Sequence, residues 1–349
     1  MTEPELAEPL IAETLDPLDP RSIRSRSSPT QRLAEQPTAV YMAVLLVLLI
    51  GTFSLLSPNN IFLQMTTAQD VLINVATTMP LAVGMAVLLA AGLLDLSVGP
   101  IVGFASVVSA KVMLGLANGG SMPLASIIVI GIVTAIATGA AFGLLNAVVV
   151  AFGRVNSFIA TLATGGIGLG VTFVLTDGVD VSGLPRALQS LGSQQFVLPL
   201  PTIVSLAVCL IVALFMYFLP FGVHTLAMGS SPTAAERSGL NLRLSTIRLF
   251  LLNGALAGLV GFIVLTRFGT TNIGGTGDDA LAAITAAVLG GASLFGGRAS
   301  IIGAIVAALI PAVLDTGLVI QGVSPYYQYI TVGAILVTAV TIDARRTQR

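Results

Sequence analysis

After Ala39 the chain consists almost wholly of apolar stretches of about 18 or more residues, the length a helix needs to cross roughly 30 Å of hydrocarbon. Hydrocarbon offers no partners for free backbone N–H and C=O groups, so a spanning segment must be a helix or a strand of a closed barrel. Barrel strands alternate polar and apolar residues. These runs are apolar at odd and even positions alike, and helices are expected. Of 349 residues, 55% are hydrophobic and 9% charged, against roughly a quarter charged in a soluble domain, which excludes a water-soluble fold.

Pro, Gly and polar breaks divide the runs into predicted helices near 39–56, 69–92, 98–117, 124–151, 157–176, 198–219, 246–266, 279–295, 300–320 and 326–342. The chain reads as an all-α integral membrane protein, a polytopic bundle of about ten transmembrane helices with both termini cytoplasmic and a short cytoplasmic helix in one loop. Residues 1–38, rich in Pro, Glu, Ser and Arg, read as a disordered cytoplasmic tail. Residues 39–343 read as the transmembrane domain and 344–349 as a second cytoplasmic tail. The first tail is too long and too acidic at its start for the n-region of a signal peptide, so the first helix is expected in the mature protein.

Orientation follows from charge. The fifteen cationic residues are fourteen arginines and Lys111. Twelve fall inside: Arg21, Arg24, Arg26, Arg32, Arg154, Arg237, Arg243, Arg248, Arg298, Arg345, Arg346 and Arg349. Lys111, Arg186 and Arg267 fall toward the outside, the bias the positive-inside rule demands. The single cysteine, Cys209, lies in an apolar run and excludes a disulfide framework. Gly139/Gly143, Gly166/Gly170 and Gly254/Gly258 have the small-xxx-small spacing that lets helix backbones approach. A faint pattern repeats between 95–110 and 295–309, each an inner turn followed by a helix of small residues.

The hydrophilic interruption at 222–245 carries a helix signature. Ser231 is placed to cap, Pro232 takes the first helical position, Thr233 and Glu236 form an S/T-x-x-E pair, and Gly239 supplies the stop. A helix over 232–238 is too short to be stable alone in water. It must rest on the bundle's own surface or be offered to a partner.

Here the residues become recognisable. The stretch AMGSSPTAAERSGLNLRLSTIRL resembles the coupling segment of ribose-type ABC transporter permeases, carried by Gly229, Pro232, Ala234, Ala235, Glu236, Arg237, Ser238, Gly239, Leu240 and Asn241. GLLDLSVG at 92–99, GLLNAVVVAFGRVNSFIATLAT at 143–164 and AAITAAVLGGASLFGGRASIIGA at 282–304 resemble the same family in order, as does GVSPYYQYI at 322–330. The resemblance covers residues 40–343 and departs from the family's usual Gly-Ile before the DLS triplet, where Leu93 and Leu94 stand.

The resemblance implies the permease subunit of an ATP-driven importer in a bacterial cytoplasmic (inner) membrane. A sugar or sugar-like solute would arrive from an extracytoplasmic solute-binding protein and pass between two permease copies, or this chain and a paralogue. ATP and Mg²⁺ would sit on a separate ABC ATPase subunit that receives the short helix. The chain itself has no P-loop, its one lysine lying in an apolar helix. It shows no catalytic constellation, cofactor loop or metal-ligating set, and its remaining partner is the lipid bilayer, not nucleic acid.

The expected path residues are Asp95, Ser97, Asn146, Thr161, Thr164 and Asn253. Asp95 and Ser97 either cap the helix starting at Val98 or line the inner mouth of the path. The other four, with Asn74 and Thr78, either meet the solute or join helices. Arg186, Arg267 and Asp278 flank outer loops where a binding protein would dock, or are solvated interfacial charges. A rival class is an ion-coupled secondary transporter, favoured by Asp315 inside an apolar helix. Within the ABC class, a branched-chain amino acid or nucleoside permease is the alternative.

Overall fold

Proline places the first structural demand on the bundle. Pro80 interrupts a long buried helix, and lacking an N–H it cannot bond the carbonyl of Ala76 one turn earlier. In a computed structural model of the chain, Ser205 of a neighbouring helix donates its hydroxyl to that carbonyl at 2.6 Å. Hydrocarbon could not have supplied the donor, so the pairing fixes which helix must lie beside Pro80. Ser205→Ala is expected to destabilise the protein by about 1–3 kcal/mol, read as a lowered unfolding midpoint in detergent. Thr202→Ala should cost less: Thr202 donates to Leu72 at 2.9 Å, whose helical donor, the N–H of Ala76, is intact.

The structure describes residues 37–120, 122–193 and 198–324, together with Tyr327, Ile330, Gly333, Ala334 and Val337, which are helical. The rest of the helix expected at 326–342 and nearly all of both tails lie outside these residues. The helices are α1 (Pro37–Leu56), α2 (Met65–Ala90), α3 (Val98–Asn118), α4 (Leu124–Ala151), α5 (Ser157–Thr176), α6 (Arg186–Ser193) and α7 (Leu200–Phe218). After these come α8 (Pro220–Ser230), α9 (Pro232–Arg237), α10 (Leu242–Phe268), α11 (Asp279–Leu289), α12 (Ile301–Ala307) and α13 (Leu309–Ile320). Among the described residues seven helices are long and apolar enough to cross a membrane, counting α12–α13 as one; the segment Met42–Leu56 of α1 and the whole of α11 are shorter.

Helices α10 and α2 form the centre, with 83% and 72% of their apolar windows buried, whereas α4 and α5 bury 33%. The exposed faces of α4, α5 and α7 carry residues such as Val129, Val133, Ile159, Leu162, Leu210 and Phe215, surfaces that hydrocarbon solvates at no cost. Along α4 and α10 two glycine pairs interlock. A Cβ on Gly139 would stand 2.2 Å from the carbonyl oxygen of Gly254, and one on Gly254 would stand 2.2 Å from that of Gly139. The third expected pair does not behave this way: Gly166 and Gly170 have nothing within 4 Å and are exposed.

Several boundaries differ from the sequence expectation. The run at 300–320 breaks at Ala308, because Pro311 cannot donate to Ala307 and the ladder is interrupted there. The run at 198–219 ends at Leu219, whose extended backbone (φ −100°, ψ 157°) is what a following proline imposes. The chain then continues as α8. The run at 279–295 ends six residues early, at Leu289, in a glycine turn. Helix α6 and a 3₁₀ turn at Pro58–Leu63 are absent from the hydrophobic pattern because neither is an apolar run.

Candidate functional site

The six expected path residues meet in one buried network. Helix α2 ends at Ala90 and the chain turns back through residues 91–97 before α3 begins. In that turn the Asp95 carboxylate accepts from the N–H of Ser97 at 2.9 Å, the Ser97 hydroxyl at 2.5 Å and the Asn253 amide of α10 at 2.8 Å. The Ser97 oxygen in turn accepts from the Asn146 amide of α4 at 2.7 Å, and the Asn146 oxygen accepts from Thr164 of α5 at 2.5 Å. The N–H of Leu96 reaches Thr161 at 3.0 Å, and that of Leu94 reaches Ser157 at 3.1 Å. Asp95, Ser97, Asn146 and Thr161 are fully buried, Asn253 and Thr164 nearly so.

The network therefore stitches the turn to α4, α5 and α10. Asp95 satisfies the N–H of Ser97, and Ser97 makes no side-chain cap to α3, so of the two capping roles only the carboxylate's is realised. The sequence pointed to every member except Ser157, whose bond to Leu94 is invisible without the fold. Asn74 and Thr78 stand apart: Asn74 takes part in a different cluster, and Thr78 donates back to the carbonyl of Asn74 at 3.5 Å.

Near the network lies the basic end of the bundle, with Arg154 and Arg298 on loops, Arg237 at the end of α9, and Arg243 and Arg248 in the first turns of α10. Arg243 packs over the Phe152 ring at 5.6 Å. Ser231 caps α9 by accepting from the N–H of Ala234 at 3.3 Å, and Asn241 caps α10 by accepting from Leu244 at 3.0 Å. Gly239 stops α9 with φ 91°. The helix runs from Pro232 to Arg237, one residue shorter than expected, with Ser238 as its C-cap. Its Ala235 is buried, as the need for a packing partner required, whereas Pro232, Thr233, Ala234, Glu236, Arg237, Ser238 and Gly239 are exposed and Leu240 half-buried.

Gly229, in the last turn of α8, joins this segment to the core. A Cβ there would stand 2.0 Å from the carbonyl oxygen of Ala90 and 2.6 Å from the nitrogen of Gly297. The Gly297 N–H donates to that same Ala90 carbonyl at 2.9 Å. The three backbones so joined are the last turn of α8, the end of α2 and the turn after α11. The turns at 91–97 and 290–300 meet on either side of Gly229.

At the opposite end the loops are tied together by Asp180, a residue the sequence did not single out. Its carboxylate accepts from the hydroxyl of Thr271 and the N–H of Ile273, both at 2.9 Å. Arg186 is exposed there, and Asp278 is exposed at the start of α11. Arg267 is half-buried: it donates to the Asn74 oxygen of α2 at 2.6 Å, and the charges of Asp315 and Asp70 act on it.

The segment after α10 does not stay at that surface. The Thr276 carbonyl oxygen abuts Gly99, 2.0 Å from where a Cβ would stand, in the first turn of α3. One turn further along α3, Val102 lies on Gly261, about 10 Å along the axis from the end of α10. The segment 269–278 therefore folds back into the bundle, and α11 starts inside it as a half-length helix. Discontinuous helices of this kind surround the solute path in many transporters.

A bundle built this way, with a broken helix inside and a capped surface helix braced on the core, has the construction of the membrane-spanning part of a transport system. The family described as branched-chain amino acid transport system / permease component matches residues 67–340, and the chain belongs to it. The ribose import permease of Bacillus subtilis (strain 168) is 34% identical over 304 residues, covering 86% of this chain and 91% of that protein. The galactose/methyl galactoside import permease of Haemophilus influenzae is 31% identical over 315 residues (86% and 93%). The D-allose transport system permease of Escherichia coli (strain K12) is 29% identical over 302 residues (86% and 89%). No solved structure matches the chain. The protein is a permease of an ABC import system and a multi-pass protein of the inner membrane.

Proposed function

We propose that this permease forms the path by which a sugar or sugar-like solute, delivered by an extracytoplasmic solute-binding protein, crosses the membrane at the expense of ATP hydrolysed on a partner ATPase subunit. The observation that carries the reading is the capped, largely exposed helix α9, braced through Gly229 on the end of α2 and the turn after α11. Motion imposed on α9 by a closing ATPase reaches both turns through backbone contact, and the turn at 91–97 holds the Asp95 network. ATP and Mg²⁺ belong to that partner. The sugar class is favoured over branched-chain amino acids by the names of the relatives, which are permeases for ribose, allose and galactose.

In this reading ten spans leave both termini in the cytosol, and the arginine-rich end with α9 faces the cytosol. Arg186, on a loop braced by Asp180, faces the binding protein with Arg267 acting from beneath, whereas Asp278 is carried inward with the segment 269–278. Asp95, Ser97, Asn146, Thr161, Thr164 and Asn253 form a closed layer of the path, which a second copy of the chain or a paralogue completes. Asp315, the residue that favoured ion coupling, lies within the field of Arg267, a positive charge that disfavours binding of a transported cation beside it.

The exposed face of α9 gives the test. Ala234 points outward while Ala235 points into the bundle, so Ala234→Glu alters docking without touching the core. Co-purification with the ATPase encoded alongside should fall at least about tenfold, a loss of ~1.4 kcal/mol, while the unfolding midpoint is unchanged. Wild-type chain that never associates with the ATPase would overturn the reading.

A further inference from the structure

At the basic end, the corner between α7 and α8 and the first turns of α10 enclose a pocket of about 270 Å³ that the transport reading does not use. Its walls divide by chemistry. Leu219, Phe221 and Leu249 form an apolar side, and His224, Ser245 and Arg248 a polar one, with no acidic residue among the lining. Among the described residues neither the Arg248 guanidinium nor the His224 imidazole takes part in a hydrogen bond or ion pair, and both are exposed. In the network at Asp95 and the cluster at Arg267 the charged groups have polar partners within the chain. Here two donors face an open cavity without acceptors.

The surface leading to the pocket is apolar. Leu214, Phe215, Phe218 and Leu219 are exposed along the end of α7, and Val223 and Leu244 are exposed beside the pocket. A ligand suited to both parts has an anionic oxygen-rich head for Arg248, His224 and Ser245, and a hydrocarbon tail that continues up α7. Arg248 stands six residues after Leu242, the start of α10, about 9 Å along the axis, near the end of the helix that the arginine bias places at the cytosolic side. The cytoplasmic leaflet is rich in anionic headgroups, and basic pockets between helices on that side are suited to hold them.

We propose that this pocket is a binding site for one anionic phospholipid of the inner leaflet, its phosphate held by Arg248 with His224 and Ser245 and its chains lying on the exposed end of α7. The assignment rests on the orientation given above and not on the identity of the solute. Because the break at Leu219 leads directly into α8 and α9, the lipid would sit at the joint on which the coupling segment turns.

The test uses the full-length chain in a non-ionic detergent, titrated with short-chain phosphatidylglycerol, phosphatidylcholine of the same chain length, and inorganic phosphate, with bound molecules counted by native mass spectrometry. The expected result is one saturable phosphatidylglycerol per chain, weakened about fivefold to tenfold in Arg248→Gln, largely retained in Arg248→Lys and unchanged in Arg154→Gln, a boundary arginine outside the pocket. Phosphatidylcholine should bind more weakly than phosphatidylglycerol, and phosphate should not displace the lipid at comparable concentration. Equal loss in Arg154→Gln and Arg248→Gln would reduce the effect to general boundary charge and overturn the site. Phosphate competing as an equal would make it a free-anion site and overturn the lipid. Detergent binding is read without transport, so failure here leaves the importer reading untouched, and loss of ATPase association would leave this site untouched.

Discussion

Gly229→Ala is expected to destabilise the protein by about 3 kcal/mol or more, and to abolish stimulation of the partner ATPase even where the protein still folds. One added methyl would stand 2.0 Å from the Ala90 carbonyl oxygen and 2.6 Å from the Gly297 nitrogen. Overpacking against side chains costs about 1–3 kcal/mol, and side chains can swing aside. Here the neighbours are two backbones, themselves joined by a hydrogen bond, so relief requires moving α8 as a body away from α2. That displacement would break the contact through which α9 moves the core. Gly166→Ala serves as the matched control, because nothing lies within 4 Å of the added carbon and the substitution in a helix is neutral or mildly favourable. The check is the unfolding midpoint in detergent, followed by ATPase activity with and without loaded binding protein.

The second large effect is expected at Asp95, with an order among substitutions that tests the geometry. Asp95→Ala removes an acceptor of three hydrogen bonds and leaves the donors of Ser97 and Asn253 buried without partners. At about 1–3 kcal/mol for each buried donor stranded, the total is about 3–5 kcal/mol, enough to unfold a marginal protein. Asp95→Asn should cost about 1–2 kcal/mol. Its oxygen still accepts from Ser97, and its amide meets an Asn253 whose own oxygen is buried and has no partner in the native fold. Rotation of the Asn253 amide then restores the bond between the two residues. Thermal unfolding of the three proteins in one detergent gives the order. Equal losses in Asp95→Asn and Asp95→Ala would contradict the network as described.

The two predictions draw on features that were unequally legible in the sequence. The polar residues at Asp95, Ser97, Asn146, Thr161, Thr164 and Asn253 stand out because a membrane helix seldom carries such groups without a partner. Their types pointed to a path or to helix joining, but nothing in the spacing said that they meet in one network or that Asn146 bonds Ser97 and not Asp95. Helix α9 was legible to within one residue because caps and stops are local chemistry. Its buried face was not, since Ala234 and Ala235 are the same residue in sequence and differ only in which neighbour they meet.

The bond from Ser205 to the Ala76 carbonyl that Pro80 leaves open joins two helices more than a hundred residues apart, so the missing bond was foreseeable and its donor was not. The segment 269–278 reads as a surface loop because Gly, Thr and Asp dominate it. What takes it into the bundle is the bare backbone of Gly99 opposite Thr276, a contact that hydropathy cannot register. The pair Gly166/Gly170 shows the converse: spacing alone suggested a packed face, and the structure leaves that face open.

The central claim is that this chain is the solute path of an ATP-driven sugar importer, and its most direct test is uptake into proteoliposomes. The chain is reconstituted with its ATPase, ATP is enclosed on the side of α9, and the cognate binding protein loaded with labelled sugar is supplied on the other. The account predicts accumulation that requires both ATP and the binding protein and is unaffected by collapse of proton and sodium gradients. Accumulation driven by an ion gradient without ATP would contradict it.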